Sequence, residues 1–453
     1  MHSRPSSGLR SASEGDSPPH LLRVALLSVV VGIITGGIAS IFRIVLKAAD
    51  LARTHWLTES SSPKFLRFLV AAALISTAAA IAAWLVRRFA PKAVGSGIPQ
   101  VEAAVSGDAP PAGPSILPVK FIGGILAIGG GLALGREGPS VQMGAALGTL
   151  AGRYFRLGQV DTLALLAAGA GAGLATAFNA PIAGAVLVLE ELVRRYDPRI
   201  ALAALGASGG AIAVSRPLLG QAPDFAVTPI DFTGPASGAG FLFLGLVCGL
   251  AGVGYNRLLL AILAVVRRLE KLPVEARAAS VGLLIAVTGW VHPDWIGGGE
   301  AVTHRALTAG YDGSVLLVLL GVRIVLSLLS YAAGTPGGLV CSLLAIGSLL
   351  GLVVSRIFHQ LEPHLTTPDT AFALVGMGAL LVATVRAPAT GLVLITELTG
   401  NVTLLLPMLA ACFVAMLVPS LLKCDPIYDS LREHSQSPRY SGLPDHDNDR
   451  LSS

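Results

Sequence analysis

Apolar segments broken by glycine and proline dominate this chain, and several are too short to cross a bilayer. A helix needs about 20 residues to span the hydrocarbon core. Half-length segments flanked by Gly and Pro indicate discontinuous helices that meet near the membrane midplane. We therefore expect an all-α polytopic membrane protein with many tilted and broken helices. Apolar segments lie at Val24–Leu46, Phe65–Leu85, Phe241–Val266, Val281–Val291 and Val315–Leu329, and others, all below the length of a full span, lie at Ile182–Leu192, Ala371–Val385 and Ala389–Glu397.

The composition supports a membrane protein and argues against other classes. Of 453 residues, 53% are hydrophobic and only 13% are charged, against roughly 25% charged in soluble domains. The net charge of +5 comes without a basic stripe interleaved with aromatics, so we expect no nucleic-acid partner. The four cysteines stand singly, which predicts neither a metal site nor a disulfide scaffold. A glycine-rich stretch at 169–173 lacks the βαβ context of a dinucleotide site, so we expect no cofactor and no enzymatic activity.

Polar segments at the two ends set the predicted domain limits. Residues 1–20 are rich in Ser and Pro and predict a disordered cytoplasmic tail. Residues 21–431 form the predicted transmembrane domain, and residues 432–453 form a short polar cytoplasmic tail. The first apolar segment is too long for a signal peptide.

An internal repeat divides the domain into halves at roughly 21–220 and 235–431. The motif at 179–184 recurs at 386–391, at an offset of 207 residues (388 minus 181), and an apolar run with a glutamate follows each copy. A second echo pairs glycines 135, 138, 148 and 152 with glycines 334, 337, 347 and 351, at an offset of 199 (334 minus 135). Two pseudo-symmetric halves around a central site are typical of secondary transporters. Glu190 and Glu397 are equivalent in this repeat, and we interpret them as structural caps of helix starts.

A charged pair lies inside the most apolar part of the chain. Arg136 and Glu137 belong to the GREGP segment 135–139, and the stretches 121–134 and 140–152 around it carry no charge. A charge at this depth costs roughly 2.5–3.5 kcal/mol. The glycines and the proline interrupt any helix here, and a broken helix at membrane depth must line a cavity or be buried in protein. The pattern indicates an ion pathway.

Three Gly/Pro-rich breaks, at 95–99, 135–139 and 334–340, precede segments that can start a helix. A helix start exposes unpaired backbone N–H groups and the positive end of the helix dipole. Several such starts that converge form an anion site without a buried cation. Ser96 adds a hydroxyl donor. Such a site binds an anion weakly enough to release it, which conduction requires.

These motifs resemble the signatures of the CLC chloride channel and transporter family. The resemblance rests on GSGIP at 95–99, GREGPSVQ at 135–142, GTPGG at 334–338, FNAP with its glutamate pair at 178–191, and DPIY at 425–428. It covers roughly residues 22–431 in the family's order. It implies a CLC-like fold with inverted repeats, of the prokaryotic type without C-terminal CBS domains. It also implies a homodimer in the lipid bilayer, in a bacterial inner membrane, with both termini cytoplasmic.

The resemblance assigns an anion site to both halves of the repeat. Ser96 and Tyr428 match the serine and the tyrosine whose hydroxyls bind the central anion. Backbone amides near Leu339 and Val340 would complete the site from the opposing repeat. The anion-binding residues implied are Ser96, Gly97, Ile98, Leu339, Val340 and Tyr428.

The resemblance also assigns a gate and a proton route. Glu137 matches the external gate glutamate, and Glu191 matches the internal glutamate that transfers protons. Arg136, Gly138 and Pro139 support the helix start at the gate. A carboxylate in an anion pathway mimics the substrate, and its protonation frees the site.

Glu191 has a second interpretation. Beside Glu190 and shortly before Arg194, it is also placed for an ion pair at a helix end. The match at FNAP favours the proton role. Glu102, shortly after GSGIP, is a lesser candidate for the proton route.

We therefore predict a transporter that exchanges chloride for protons. The alternatives are a passive voltage- or pH-dependent chloride channel of the same family, then a fluoride exchanger or a membrane enzyme. One departure bears on this choice: the family pattern GIFAP reads Gly338-Leu339-Val340-Cys341-Ser342 here. Backbone donors survive this change, while the smaller Val340 widens the outer pathway and bears on selectivity and coupling. The serine at position 96 argues against a preference for nitrate.

Overall fold

The structure is a computed structural model that describes residues 18–58, 63–228, 230, 235–269, 271–362 and 367–436. These residues form 17 α-helices and two isolated β-bridges, without a β-strand. Eight of the helices are long and apolar enough to cross a membrane. The predicted all-α, multi-pass fold is therefore confirmed.

The first half of the chain contains helices α1 to α8. Helices α4 and α7 each continue into a π-helical turn, at Ile125–Gly129 and Val188–Leu192. The bounds are α1 Pro18–Thr58, α2 Lys64–Phe89, α3 Ile98–Ser106, α4 Ile116–Gly124, α5 Glu137–Tyr154, α6 Gln159–Phe178, α7 Pro181–Leu187 and α8 Pro198–Leu219.

The second half repeats this order of helices, except that the 20-residue α12 stands where the first half has the short α4. One further helix follows it. The short helices α11 and α15 of the second half correspond to α3 and α7. The bounds are α9 Pro235–Arg268, α10 Val274–Val291, α11 Glu300–Thr308, α12 Gly313–Ala332, α13 Val340–Leu361, α14 Asp369–Val385, α15 Pro388–Thr399, α16 Leu405–Leu421 and α17 Ile427–Gln436.

Close glycine contacts form the buried centre of each half. A Cβ on Gly148 of α5 would lie 2.0 Å from the Leu165 carbonyl oxygen of α6. In the second half, a Cβ on Gly351 of α13 would lie 2.1 Å from the Phe372 carbonyl oxygen of α14. In a bilayer the hydrophobic effect does not drive helices together, so they associate through close packing, which small residues allow. The same packing device therefore fixes the central helix pair of both halves.

The helix starts correct one detail of the predicted repeat. Helices α5 and α13 begin at Glu137 and Val340, so the offset here is 203 residues (340 minus 137) rather than 199. The predicted and observed offsets differ by four residues, which is about one helical turn. Because several of these glycines are four residues apart, the two alignments match glycine to glycine almost equally well. The predicted offset of 207 holds for α7 and α15, which begin at Pro181 and Pro388.

Two glutamates cap helices of the opposite half. Glu190 accepts hydrogen bonds from the backbone N–H groups of residues 389 and 390, at 2.9 and 2.6 Å, at the start of α15. Glu397 accepts from the N–H groups of residues 182 and 183, at 3.1 and 2.8 Å, at the start of α7. Both are helix caps, as the repeat predicted. A reciprocal contact of this kind is what a two-fold relation between the halves generates.

The chain ends are described only in part. Helix α1 begins at Pro18 and α17 ends at Gln436, so residues 18–20 and 432–436 of the predicted tails are helical. The rest of the predicted tails, 1–17 and 437–453, lies outside the described residues.

The glycine contact at position 351 gives a stability prediction. We expect Gly351→Ala to lower the thermal unfolding midpoint in detergent by several degrees, because overpacking of this kind costs about 1–3 kcal/mol. Gly321→Ala in α12 is the matched control, since a Cβ there meets no atom within 4 Å and alanine favours a helix over glycine. An unchanged midpoint for Gly351→Ala would contradict the packing described.

Candidate functional site

Loops from the two halves pair at the centre of the protein. The Gly95 N–H donates to the Thr335 carbonyl and the Gly337 N–H donates to the Gly95 carbonyl, both at 3.0 Å. Gly135 and Gly338 exchange two hydrogen bonds of 2.8 and 2.7 Å in an antiparallel bridge. These loops lead directly into α3, α5 and α13. The pairing therefore brings helix starts from both halves together.

The Glu137 side chain lies across this bridge. It is fully buried, and its Oε1 accepts a 2.7 Å hydrogen bond from the Val340 N–H at the start of α13. A Cβ on either Gly135 or Gly338 would lie 1.9 Å from a carboxylate oxygen of Glu137. Only glycine at these two positions leaves room for the carboxylate. The bridge is thus a seat for one carboxyl group.

Two hydroxyls lie in the same region. Ser96 and Tyr428 are buried, with 0% and 1% of their surface exposed. The phenol of Tyr428 is close to the Ser96 hydroxyl, yet neither oxygen completes a hydrogen bond of normal geometry with any described residue. Buried hydroxyls nearly always have a partner. Two converging donors of this kind are suited to an anion.

The backbone positions predicted for the anion site are at helix starts. Gly97 has a φ of 88°, in the left-handed region, and immediately precedes α3, whose first residue is the buried Ile98. Leu339 precedes α13, and Val340 is its first residue. Helix starts offer N–H groups that the helix leaves unpaired. The structure therefore brings Ser96, Tyr428 and both helix starts into one region.

Arg136 is held by acidic groups of distant segments. Its Nη2 lies 2.7 Å from Asp224 Oδ2 and its Nη1 lies 2.5 Å from Glu300 Oε1. Its Nε donates to the Ala177 carbonyl at 2.8 Å. Arg43 also binds Asp224, at 2.8 Å. These contacts fix the loop before α5, and they satisfy the guanidinium without an anion from the pathway.

Two buried cations near the site were missed by the sequence analysis. Lys120 of α4 is fully buried and donates to the carbonyl oxygens of Gly95 and Ser96, at 2.7 and 3.1 Å. Arg323 of α12 is also fully buried and donates to the Gly297 carbonyl at 2.8 Å. Each is an isolated charge within an apolar stretch, which is itself a signal of function.

A second group of acidic residues, which includes Glu102 of α3, surrounds Arg194. Its Nη2 lies 3.0 Å from Glu102, 3.4 Å from Glu191 and 2.8 Å from Asp429. Arg432 approaches Glu102 at 3.2 Å. The ion pair considered for Glu191 therefore exists.

Glu191 also lines an open cavity of about 610 Å³, together with Arg194 and Asp429. Glu102 and Glu191 lie outside the eight helices long enough to span the membrane. Burial raises the pKa of Glu191 to about 8 and that of Glu102 to about 7, against the opposing charge of Arg194. Burial thus favours the protonated form of both carboxyls, and the charge of Arg194 opposes it.

Fold and site together define a multi-pass helical membrane protein with opposed helix starts around a buried carboxylate. A sequence model of the voltage-gated chloride channel family matches residues 78–420. The chain is 38% identical to the H+/Cl− exchange transporter ClcA of Vibrio parahaemolyticus serotype O3:K6, over 92% of this chain and 90% of the relative. It is 39% identical to ClcA of Vibrio cholerae serotype O1 (strain M66-2), over 90% and 88%. The chain belongs to the voltage-gated chloride channel, or CLC, family, as the motifs predicted.

Solved structures give the same result for the fold. A slow cyanobacterial Cl−/H+ antiporter aligns with a TM-score of 0.88 and 34% identity, over 92% of this chain and 99% of the other. A CLC-type fluoride/proton antiporter aligns with a TM-score of 0.76 and 23% identity, over 91% and 98%. At that lower identity the second match shows the shared fold alone.

The seat of Glu137 gives a second prediction. The backbone at Gly135 has no positive φ, so Gly135→Ala strains mainly the carboxylate 1.9 Å away. The clash is with the end of a flexible side chain, which can turn away, so we expect Gly135→Ala to lower the thermal midpoint only slightly, by about one or two degrees, in the wild-type background and not in a Glu137→Ala background, a coupling that a double-mutant cycle measures. An equal decrease of the thermal midpoint in both backgrounds would show that the added methyl group does not act through the Glu137 carboxylate.

Proposed function

We propose that this protein is a secondary active transporter that exchanges chloride for protons. The observation that carries the proposal is the 2.7 Å hydrogen bond between the Glu137 carboxylate and the Val340 N–H. A helix-start N–H is a donor that also binds free anions, so the carboxylate and a chloride ion compete for it. The relatives' names, H+/Cl− exchange transporter and Cl−/H+ antiporter, support the same function.

Chloride binds, in this proposal, between the two hydroxyls and the helix starts of both halves. The hydroxyls of Ser96 and Tyr428 donate to the ion directly, and the positive ends of the helix dipoles add attraction. Lys120 fixes the loop before α3, because its amine donates to the carbonyl oxygens of Gly95 and Ser96. The binding residues are Ser96, Gly97, Ile98, Leu339, Val340 and Tyr428.

Protons travel by a separate route, which leads from the cavity that Glu191 lines to the anion pathway at Glu137. Glu191 takes up protons from the cavity it lines, and Glu102 shares its charge cluster through Arg194. Tyr428 lies within electrostatic range of both Glu137 and Glu191, so the proton passes near the bound anion.

Coupling follows from the charge of Glu137. The ionised carboxylate occupies the Val340 N–H and excludes chloride from that position. Protonation removes the charge, weakens the hydrogen bond and lets the side chain leave, after which chloride occupies the donor. When chloride moves on, loss of the proton toward Glu191 returns the carboxylate to its seat. Each cycle therefore moves protons and chloride in opposite directions.

We further propose a homodimer in a bacterial inner membrane. Each subunit has its own pathway, because its site is built from its own two halves. The C-terminal helix α17 lies beside the cluster around Arg194, because Arg432 contacts Glu102 there. The basic residues Arg194 and Arg195 favour a cytoplasmic position for that side. The N-terminus lies on the same side because Arg23 of α1 approaches Phe155 between Arg153 and Arg156, and basic residues favour the cytoplasm.

A passive chloride channel of the same family is the second candidate. It is favoured by Val340, which stands where the family pattern has phenylalanine and is the residue that holds Glu137 through its backbone. A smaller side chain there leaves more space for the anion once Glu137 moves.

Neutralisation of the two glutamates tests coupling. Proteoliposomes loaded with chloride are expected to pump protons uphill as chloride leaves, with efflux and external pH recorded together. Glu137→Gln should abolish proton movement while chloride efflux persists, because glutamine cannot carry the proton. Glu191→Gln should likewise uncouple the two fluxes. The exposed Glu362→Gln is the control and should pump normally.

Three outcomes would contradict this assignment. Proton pumping that survives in Glu137→Gln would remove the gate role, and pumping that survives in Glu191→Gln would place the proton entry elsewhere. Chloride efflux without proton movement in the wild-type protein would identify the channel.

The tyrosine hydroxyl gives a binding prediction. Tyr428→Phe should weaken chloride binding by roughly 10-fold to 100-fold, because a hydrogen bond to a charged group contributes about 1.5–3 kcal/mol. Titration calorimetry of the purified protein measures this change. Tyr154→Phe, at a tyrosine that is 83% exposed, should bind as the wild type does. An unaltered affinity in Tyr428→Phe would remove this hydroxyl from the site.

A further inference from the structure

The second oxygen of Glu137 has its own donor, a cysteine thiol. Sγ of Cys341 lies 3.2 Å from Glu137 Oε2, while the Val340 N–H binds Oε1. Cys341 is the second residue of α13 and is 6% exposed. The two carboxylate oxygens are therefore held by two different groups at the start of one helix.

This thiol is a feature of the present chain rather than of the motif. The family pattern GIFAP places alanine where Cys341 stands, and alanine has no donor. The other three cysteines, at 248, 412 and 424, are also buried, but none makes a hydrogen bond to a described carboxylate. A thiol is a weak donor, so this contact is weaker than the amide contact beside it.

We propose that Cys341 is a positioning residue for Glu137: its thiol holds the second carboxylate oxygen and so sets the external pH at which the gate opens. The inference rests on the proposed gate role of Glu137. The S–H group donates to the ionised carboxylate, so it favours the charged, seated form over the protonated form that leaves.

Several other groups face the same carboxylate and also bear on its protonation. Arg136 lies next to it in the chain, Lys120 approaches from α4 and Tyr428 from α17. None of these is altered when only the thiol is removed. A change at Cys341 therefore tests one contact against a constant electrostatic background.

The test is the external pH dependence of chloride efflux from proteoliposomes, from about pH 4 to pH 8. Efflux is expected to rise as Glu137 becomes protonated. Without the thiol, Glu137 protonates more readily, so Cys341→Ala should move the midpoint of this rise upward by about half a pH unit to one unit. Cys341→Ser supplies a hydroxyl, a stronger donor than the thiol, and should hold the midpoint at or below that of the wild type. Alanine is the residue of the family pattern, so both variants are small changes.

The same substitution in the Glu137→Gln variant distinguishes a failure of this inference from a failure of the proposed gate role. In Glu137→Gln, the substitution Cys341→Ala should leave the efflux rate and its pH profile unchanged, since no carboxylate remains. An unshifted midpoint in Cys341→Ala alone, a uniform loss of efflux at every pH, or an equal shift in the Glu137→Gln background would each overturn the role of Cys341. Proton pumping by Glu137→Gln itself would instead overturn the gate assignment.

Discussion

The hydrogen bond between the Glu137 carboxylate and the Val340 N–H is the contact on which the site depends. It joins the first residues of α5 and α13, which are counterparts in the two halves of the repeat. It forms because Gly135 and Gly338 pair directly beneath the carboxylate and leave it room. This single contact therefore depends on the repeat, which brings the two helix starts together, and on two glycines, which leave space for the carboxylate. Its donor is an N–H group that can also bind an anion.

Among the described residues, helix starts bind glutamate carboxylates from the opposite half at three places, and the donors of these contacts differ. Glu190 and Glu397 each accept two backbone N–H groups from the opposite half. Glu137 accepts one backbone N–H group and one thiol. Backbone amides are stronger donors than thiols. The first two contacts therefore suit permanent links between the halves, while the third suits a group that must leave and return.

The motifs predicted which segments form the site, but not every residue within it. Ser96, Glu137 and Tyr428 were predicted because Gly/Pro breaks and the family signatures mark them, and the structure brings them into one region. Arg323 was missed because it is a lone basic residue within Val315–Leu329, a segment judged apolar as a whole, and Lys120 was missed because it lies just before the uncharged stretch 121–134. A lone charge in such a position is itself informative. The repeat register was wrong by four residues beside α13, since a shift of about one helical turn preserves the face on which glycines lie.

The sequence by itself determined that the chain is a helical membrane protein of two related halves, because hydropathy, helix breaks and repeated motifs are local properties. Only the tertiary structure decided which groups meet. Asp224 and Glu300 reach Arg136 from segments 88 and 164 residues away, and Cys341 meets Glu137 across 204 residues. No local pattern encodes such distances, since they depend on how the two halves pack against each other.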